Sequence, residues 1–226
     1  MNWSDEGYLL NKIKYNENSL ITEIFTKNHG KISGIIFGGT SKKIKNYLQI
    51  GNNVHVNFNS KSINKIGYFK IEIQKAFSPF YFEDRQKLAC ITSAMTLVKI
   101  LTAEAQKNSD IYDLLIKFYK ILNTENWIKN YIFWELDLFK NLGYDLQFKD
   151  LVVKQNINNQ ISYISRSSSE KKIVPNFLIE INHEIESKDN LINGLNLIGD
   201  YLDKSILKPN SLSHPISRQQ FISSLK

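Results

Sequence analysis

The hydrophobic period of this chain changes once, at Ser78-Pro79, and nothing else in the sequence restricts the fold as strongly. Before that point apolar residues alternate. Val54-His55-Val56-Asn57-Phe58 is a strict period-two run, and Phe69, Ile71 and Ile73 alternate within Gly67–Ala76. Gly7–Lys14, Ser19–Thr26 and Ile32–Phe37 read as three further strands. The turns between them are Asn16-Glu17-Asn18, Asn28-His29-Gly30 and Gly51-Asn52-Asn53, with Gly30 free to take positive φ. Five short strands separated by polar turns predict a small Greek-key barrel of the oligonucleotide-binding type, over residues 1–78.

After Ser78-Pro79 the period becomes helical. Leu88, Ile91, Met95, Val98 and Leu101 recur at three- and four-residue steps. Ser109 or Asp110 can cap a second helix, and Thr124 a third that carries Trp127, Tyr131, Trp134, Leu138 and Phe139. Gly143 stops that third helix. Residues 150–187 lose the period and read as an irregular insertion, with short strands or extended pieces at Val152-Val153, Ile161–Ile164 and Ile179-Glu180-Ile181 and an exposed loop at Ser167–Lys172. Leu191, Leu195, Ile198, Leu202 and Ile206 mark another helix that Pro209 ends, and Pro215 opens a last short one. The expected class is α+β: a five-stranded N-terminal barrel, then a mainly helical domain over residues 79–226 with a small, zinc-free insertion.

Charge is unevenly placed. The chain has a net charge of +7, and residues 1–80 hold eleven lysines against five acids, an excess of six. That asymmetry points to a polyanionic partner for the first third. Phe37-Gly38-Gly39-Thr40-Ser41-Lys42-Lys43-Ile44-Lys45 concentrates it: two glycines turn the chain and three lysines fall within four positions. Backbone amides and ammonium groups gathered this way suit phosphate oxygens. The same run also reads as a solvated hairpin tip, and an Asn-, Ile- and Lys-rich composition with three arginines makes lysine abundance by itself weak evidence.

Several classes are excluded or unsupported. The four histidines are scattered and Cys90 is the lone cysteine, so neither a zinc site nor a disulfide framework is expected. No P-loop and no Gly-x-Ser-x-Gly elbow occurs. The N-terminus has no signal-peptide pattern and no apolar run approaches a membrane span, so a cytoplasmic location is expected. The pattern is that of a binding protein without cofactor or catalytic constellation.

Read together, ordered fragments resemble the RecO family of bacterial recombination mediators. They are Gly7-Tyr8-Leu9-Leu10, Phe25-Thr26-Lys27-Asn28-His29-Gly30, Gly38-Gly39-Thr40-Ser41-Lys42-Lys43 and Leu48-Gln49-Ile50-Gly51-Asn52. The most specific is Trp134-Glu135-Leu136-Asp137-Leu138-Phe139-Lys140-Asn141-Leu142-Gly143-Tyr144. The resemblance implies binding of single- and double-stranded DNA, annealing of complementary strands, and contact with single-strand-binding protein (SSB). It also implies help, with RecR, in loading RecA onto SSB-coated strands. Some members carry a four-cysteine zinc site in the segment matching Asp150–Ile173, where this chain has no cysteine. Lys42, Lys43 and Lys45, with Lys27 and Lys31 from the neighbouring turn, are the expected phosphate contacts, and Lys99, Lys129 or Lys140 the candidate cations for an acidic protein tail. An RNA-binding accessory protein built on the same barrel is the competing reading.

Overall fold

The structure, a computed structural model, describes residues 1–61, 66–157, 160–165, 172–180 and 187–226. The expected loop at Ser167–Lys171 and the extended residue Ile181 lie outside the described residues. The chain divides into two compact units, Met1–Tyr119 with Pro215–Lys226, and Lys120–His214.

The first unit opens with β1 (Asn2–Lys14), β2 (Ser19–Thr26) and β3 (Gly30–Phe37), and continues through α1 (Lys42–Tyr47), β4 (Asn53–Asn59) and β5 (Gly67–Lys75). Four of the five expected strands fall within two residues of where the alternation places them; β1 starts earlier, at Asn2. Leu9, Ile24, Ile36, Leu48, Val54, Val56 and Phe69 converge on one apolar interior. β1 is buried on both faces. Leu9 enters that interior, while Tyr8 stacks with Tyr119, with ring centroids 5.7 Å apart, and lies against Phe77 and Tyr112. This explains why Tyr8-Leu9-Leu10 breaks the alternation: a strand covered on both sides reads as a continuous apolar run.

The expectation of a regular barrel is corrected at its seam. β1 pairs antiparallel with β2 and β4, β2 with β3, and β4 with β5, all over seven or eight residue pairs. β3 and β5 meet in parallel across two pairs alone, Gly34↔Gly67 and Ile35↔Tyr68. The strands thus form one strongly curled five-stranded sheet whose end strands touch at a short parallel seam, leaving most of β3 and β5 unladdered to each other. Glycine on both sides allows the close approach: a Cβ at Gly34 would stand 2.6 Å from the Phe69 ring.

The point where the period changes is anchored by one buried amide. Asn52 Oδ1 accepts from the backbone N–H groups of Phe77 (2.9 Å) and Ser78 (3.0 Å), and Asn52 Nδ2 donates to Tyr47 O (3.1 Å). α2 (Arg85–Leu101) follows, its first turn capped by the Asp84 carboxylate on Lys87 N. α3 (Ser109–Ile121) is capped by Asn108, whose Oδ1 accepts from Ile111 N at 3.1 Å, one residue before the expected cap.

In the second unit, α4 (Trp127–Asn141) buries Tyr131, Trp134, Leu138 and Phe139, the face its period marks. Gly143, at φ +89°, ends it. In the insertion, the short strands expected at Val152-Val153 and Ile161–Ile164 are present, and they are more regular than the sequence suggested. After a single turn, α5 (Phe148–Leu151), the strands β6 (Val152–Ile157), β7 (Gln160–Ser165) and β8 (Ile173–Val174) form a three-stranded antiparallel sheet. Among the described residues Val152, Tyr163 and Val174 are buried, and the Tyr163 hydroxyl donates to Glu180 Oε1 at 2.6 Å. α6 (Lys188–Tyr201) carries the apolar stripe read from the sequence and runs on as a π-helical turn at Leu202–Leu207. The last helix, α7 (Ile216–Ser224), packs with α2 in the first unit.

Candidate nucleic-acid interface

The glycine-lysine stretch is a short helix on a tight turn, where the sequence suggested a hairpin tip. Gly38, at φ +69°, turns the chain, and Ser41 N donates back to Gly38 O at 3.0 Å. The Thr40 hydroxyl donates to Glu17 O (2.9 Å), which ties this turn to the one between β1 and β2. Ser41 then caps α1, its Oγ accepting from Ile44 N. Ile44 and Leu48 pack against the apolar interior, so the helix is pinned on one side. Lys42 and Lys45 stand three residues apart and are exposed. Neither has an acidic partner within 4 Å among the described residues, and no acid occupies the first turn. Lys43 belongs to the same helix; its side chain is outside the described part.

Two residues that sequence reasoning missed stand at this end of the sheet. Lys12, on β1, donates from Nζ to Leu48 O, the C-cap of α1. Burial lowers its pKa, and the neighbouring Lys45 charge lowers it further. Lys14 is exposed two residues on, paired in register with Leu20, which in turn pairs with Ile36 beside the α1 turn. Both belong to the lysine excess of the first third. Their place became visible only once the register of β1 against β2 was fixed.

Lys27 and Lys31 do not join this group. They flank the β2–β3 turn, at the far end of a strand pair that is eight residues long and so roughly 23 Å from α1 along the strands. Lys27 pairs with Glu6 at 3.3 Å. Lys31 Nζ is spent on the C-terminal carbonyls of α2, at 2.7 Å from Lys99 O and 2.5 Å from Thr102 O. A cation at a helix C-terminus satisfies open carbonyls and the helix dipole together. The same turn is locked by Asp5. Its carboxylate accepts from Asn28 N (2.8 Å), Asn28 Nδ2 (3.0 Å) and Glu6 N (2.9 Å) and meets His29 Nδ1 at 2.9 Å.

Of the three candidate cations for a protein tail, Lys99 lies in the first unit and pairs with Glu23 at 3.4 Å. Lys129 and Lys140 are on α4, and Lys140 is exposed. The second unit has a groove of 180 Å³ walled by Leu146, Phe148, Leu151, Val174 and Leu197, with Lys204 and the Lys172–Asp200 ion pair on its rim. Among the described residues no cluster of metal-ligating side chains is found, and Cys90 is buried.

Residues 1–77 match the family model described as recombination protein O N terminal, and residues 82–184 the one described as recombination protein O C terminal. The DNA repair protein RecO of Rhodospirillum centenum is 24% identical over 98% of this chain and 94% of its own. That of Ehrlichia chaffeensis is 32% identical over 73% of this chain and 67% of its own, and that of Rickettsia canadensis 28% identical over 98% and 95%.

Proposed function

We propose that this chain, which belongs to the RecO family of DNA-repair proteins, carries out the family's mediator role by holding DNA phosphates on α1 and the adjoining end of β1. RecO proteins are non-catalytic mediators of DNA repair and recombination. The task is therefore one of binding, and the groups that do it must be cations free to meet phosphate. Lys42 and Lys45 meet that requirement, with Lys43, Lys12 and Lys14 beside them. One observation carries the reading: Lys42 and Lys45 are exposed on one turn of α1, among the described residues neither has an acidic partner within 4 Å, and Lys12 beside them adds a third charge that repels Lys45. A phosphate placed there removes that repulsion and releases counterions from the DNA.

Annealing follows from the same electrostatics. A surface that neutralises two strands at once lowers their mutual repulsion, and pairing then needs no bond to be made or broken. Single- and double-stranded DNA are both substrates for such backbone contacts, since phosphates are common to both. With RecR, the chain helps load RecA onto SSB-coated single strands in the cytoplasm. SSB is met through its acidic, apolar-tipped tail, for which the groove of the second unit offers an apolar floor and Lys204 a cation.

The test is a salt titration. The Lys42→Glu/Lys45→Glu protein should bind oligonucleotides at least tenfold more weakly, and its log–log salt slope on single strands should be shallower by roughly 1.4, two contacts' worth. An unchanged affinity and slope would move the DNA surface away from α1.

A further inference from the structure

The outer face of the curled sheet carries a row of side chains that water alone does not explain. Ile13, Ile21, Ile35 and Tyr68 are cross-strand neighbours in one register line over β1, β2, β3 and β5. All point away from the interior, because the adjacent positions Leu20 and Ile36 fill it. Phe37, on the same face of β3, is 63% exposed, and its ring centroid lies 6.0 Å from that of Tyr68. Ile13 is 56% exposed. Outward positions of a water-facing antiparallel sheet are normally polar, so a contiguous apolar row there marks a binding face.

What lies next to Tyr68 identifies the occupant. Asn59 is its direct partner on β4, and one row on, Asn57 pairs with Lys70. With Asn2 and Ser4 these residues line a depression of 480 Å³ that contains no carboxylate. Asn59 offers a donor and an acceptor in one plane, and Asn57, whose Oδ1 accepts from the Ser4 hydroxyl, offers its amide donors; both match the edge of a nucleobase, and an aromatic ring offers a stacking face to any base. On the other side, Phe37 leads directly into the Gly38–Ser41 turn and the lysines of α1. A protein partner would need only the apolar row; the amides, Lys70 and the adjacent basic helix fit a strand of nucleic acid.

We infer that Phe37 and Tyr68 form a stacking platform for unpaired bases of single-stranded DNA, with Asn57, Asn59 and Lys70 facing the base edge and backbone of the next nucleotide. This rests on the phosphate-binding reading of α1 and gives it a preference for single strands. Bases in a duplex are stacked on each other and cannot reach the platform, so a duplex uses the lysines alone.

The experiment compares the full chain with Phe37→Ala/Tyr68→Ala and Lys42→Glu/Lys45→Glu, each titrated with an oligothymidylate and with a duplex of equal length across salt. The aromatic variant should lose roughly tenfold to a hundredfold in single-strand affinity with an unchanged salt slope and unchanged duplex affinity. The lysine variant should lose both forms and flatten the slope. Single-strand affinity within twofold of the parent in the aromatic variant overturns the platform and leaves α1 standing. Retention of both forms by the lysine variant sinks the α1 reading instead. Should the aromatic variant fail to fold, photocrosslinking of a 5-iodouracil oligonucleotide to the unaltered protein decides. Adducts on Phe37 or Tyr68 uphold the platform, and adducts found elsewhere alone reject it.

Discussion

Asp5 shows how a single carboxylate sets the end of the sheet away from α1. Its side chain is buried, which raises its pKa. Hydrogen bonds from His29, Asn28 and the Glu6 amide outweigh that burial and hold the net value below that of an ordinary carboxylate. A carboxylate whose pKa is depressed on folding stabilises the protein above its unfolded value of about 3.9, and that stability is lost as pH falls through the folded value. Asp5→Ala removes the acceptor and leaves the Asn28 and Glu6 donors unpaired, so it should cost about 3 kcal/mol at neutral pH. The gap between variant and parent should narrow in urea-melt series as pH falls through the folded value of Asp5. A gap constant with pH would mean that packing, not charge, is what the mutation removes. Lys31 is the converse case. Its ammonium caps α2, so Lys31→Met should lower stability by about 1 to 2 kcal/mol. The same change should leave the salt slope of DNA binding at the parent value, since Lys31 sits at the far end from α1. A shallower slope would return Lys31 to the phosphate contacts expected from its sequence position.

At the scale of elements, β2 and the helical stripes of α2, α4 and α6 were legible because periodicity reports which face is buried, and burial is what these segments have in common. Gly30 was legible for a different reason: a turn of three polar residues needs one left-handed position, and Gly30 takes φ +71°. A Cβ there would also fall 1.9 Å from the Gln106 carbonyl oxygen. Gly30→Ala should therefore destabilise by more than about 2 kcal/mol, the sum of a strained φ and a backbone clash, as read in denaturant melts. In the insertion, Val152-Val153 and Ile161–Ile164 were legible as short strands, but their joining with Ile173-Val174 into one sheet was not, because among the described residues Val152, Tyr163 and Val174 are the buried ones, too few to report a pairing. Nor was the division of the lysines. Lys31 and Lys45 are alike in sequence, both next to a turn and both near apolar residues. What separates them is which carbonyls or cations lie across the fold, and that is decided by strand register and by where α2 ends. Phe37 and Tyr68 escaped notice because each adjoins an inward-facing apolar residue, Ile36 and Phe69, and reads as part of the same buried run; the register that puts them side by side on the outer face is set by the fold.

The proposed function sets the whole molecule two polyanions of different kinds, a DNA strand and the acidic tail of the protein that coats it. A mediator that used one surface for both would be blocked by its first partner. Here the two candidate surfaces belong to different compact units and differ in chemistry. α1 is pinned by Ile44 and Leu48 and presents bare lysines, which suits a ligand whose charge is regularly spaced and which needs no pocket. The groove beside α6 has apolar walls, a carboxylate, Asp200, already paired with Lys172, and an exposed cation, Lys204, which suits a short peptide ending in a hydrophobic side chain and a carboxylate. The two activities should therefore separate by mutation. Lys204→Glu should weaken a labelled SSB-tail peptide by roughly tenfold, the effect of reversing one partly solvated charge, with oligonucleotide affinity unchanged. Lys42→Glu/Lys45→Glu should do the reverse. In an annealing assay, the first variant should match the parent on bare complementary strands and fall behind it when the strands are coated with SSB. The second should fail on both. If Lys204→Glu anneals coated strands at the parental rate, the groove is not the tail's receptor, and the division of labour between the two units would have to be drawn elsewhere.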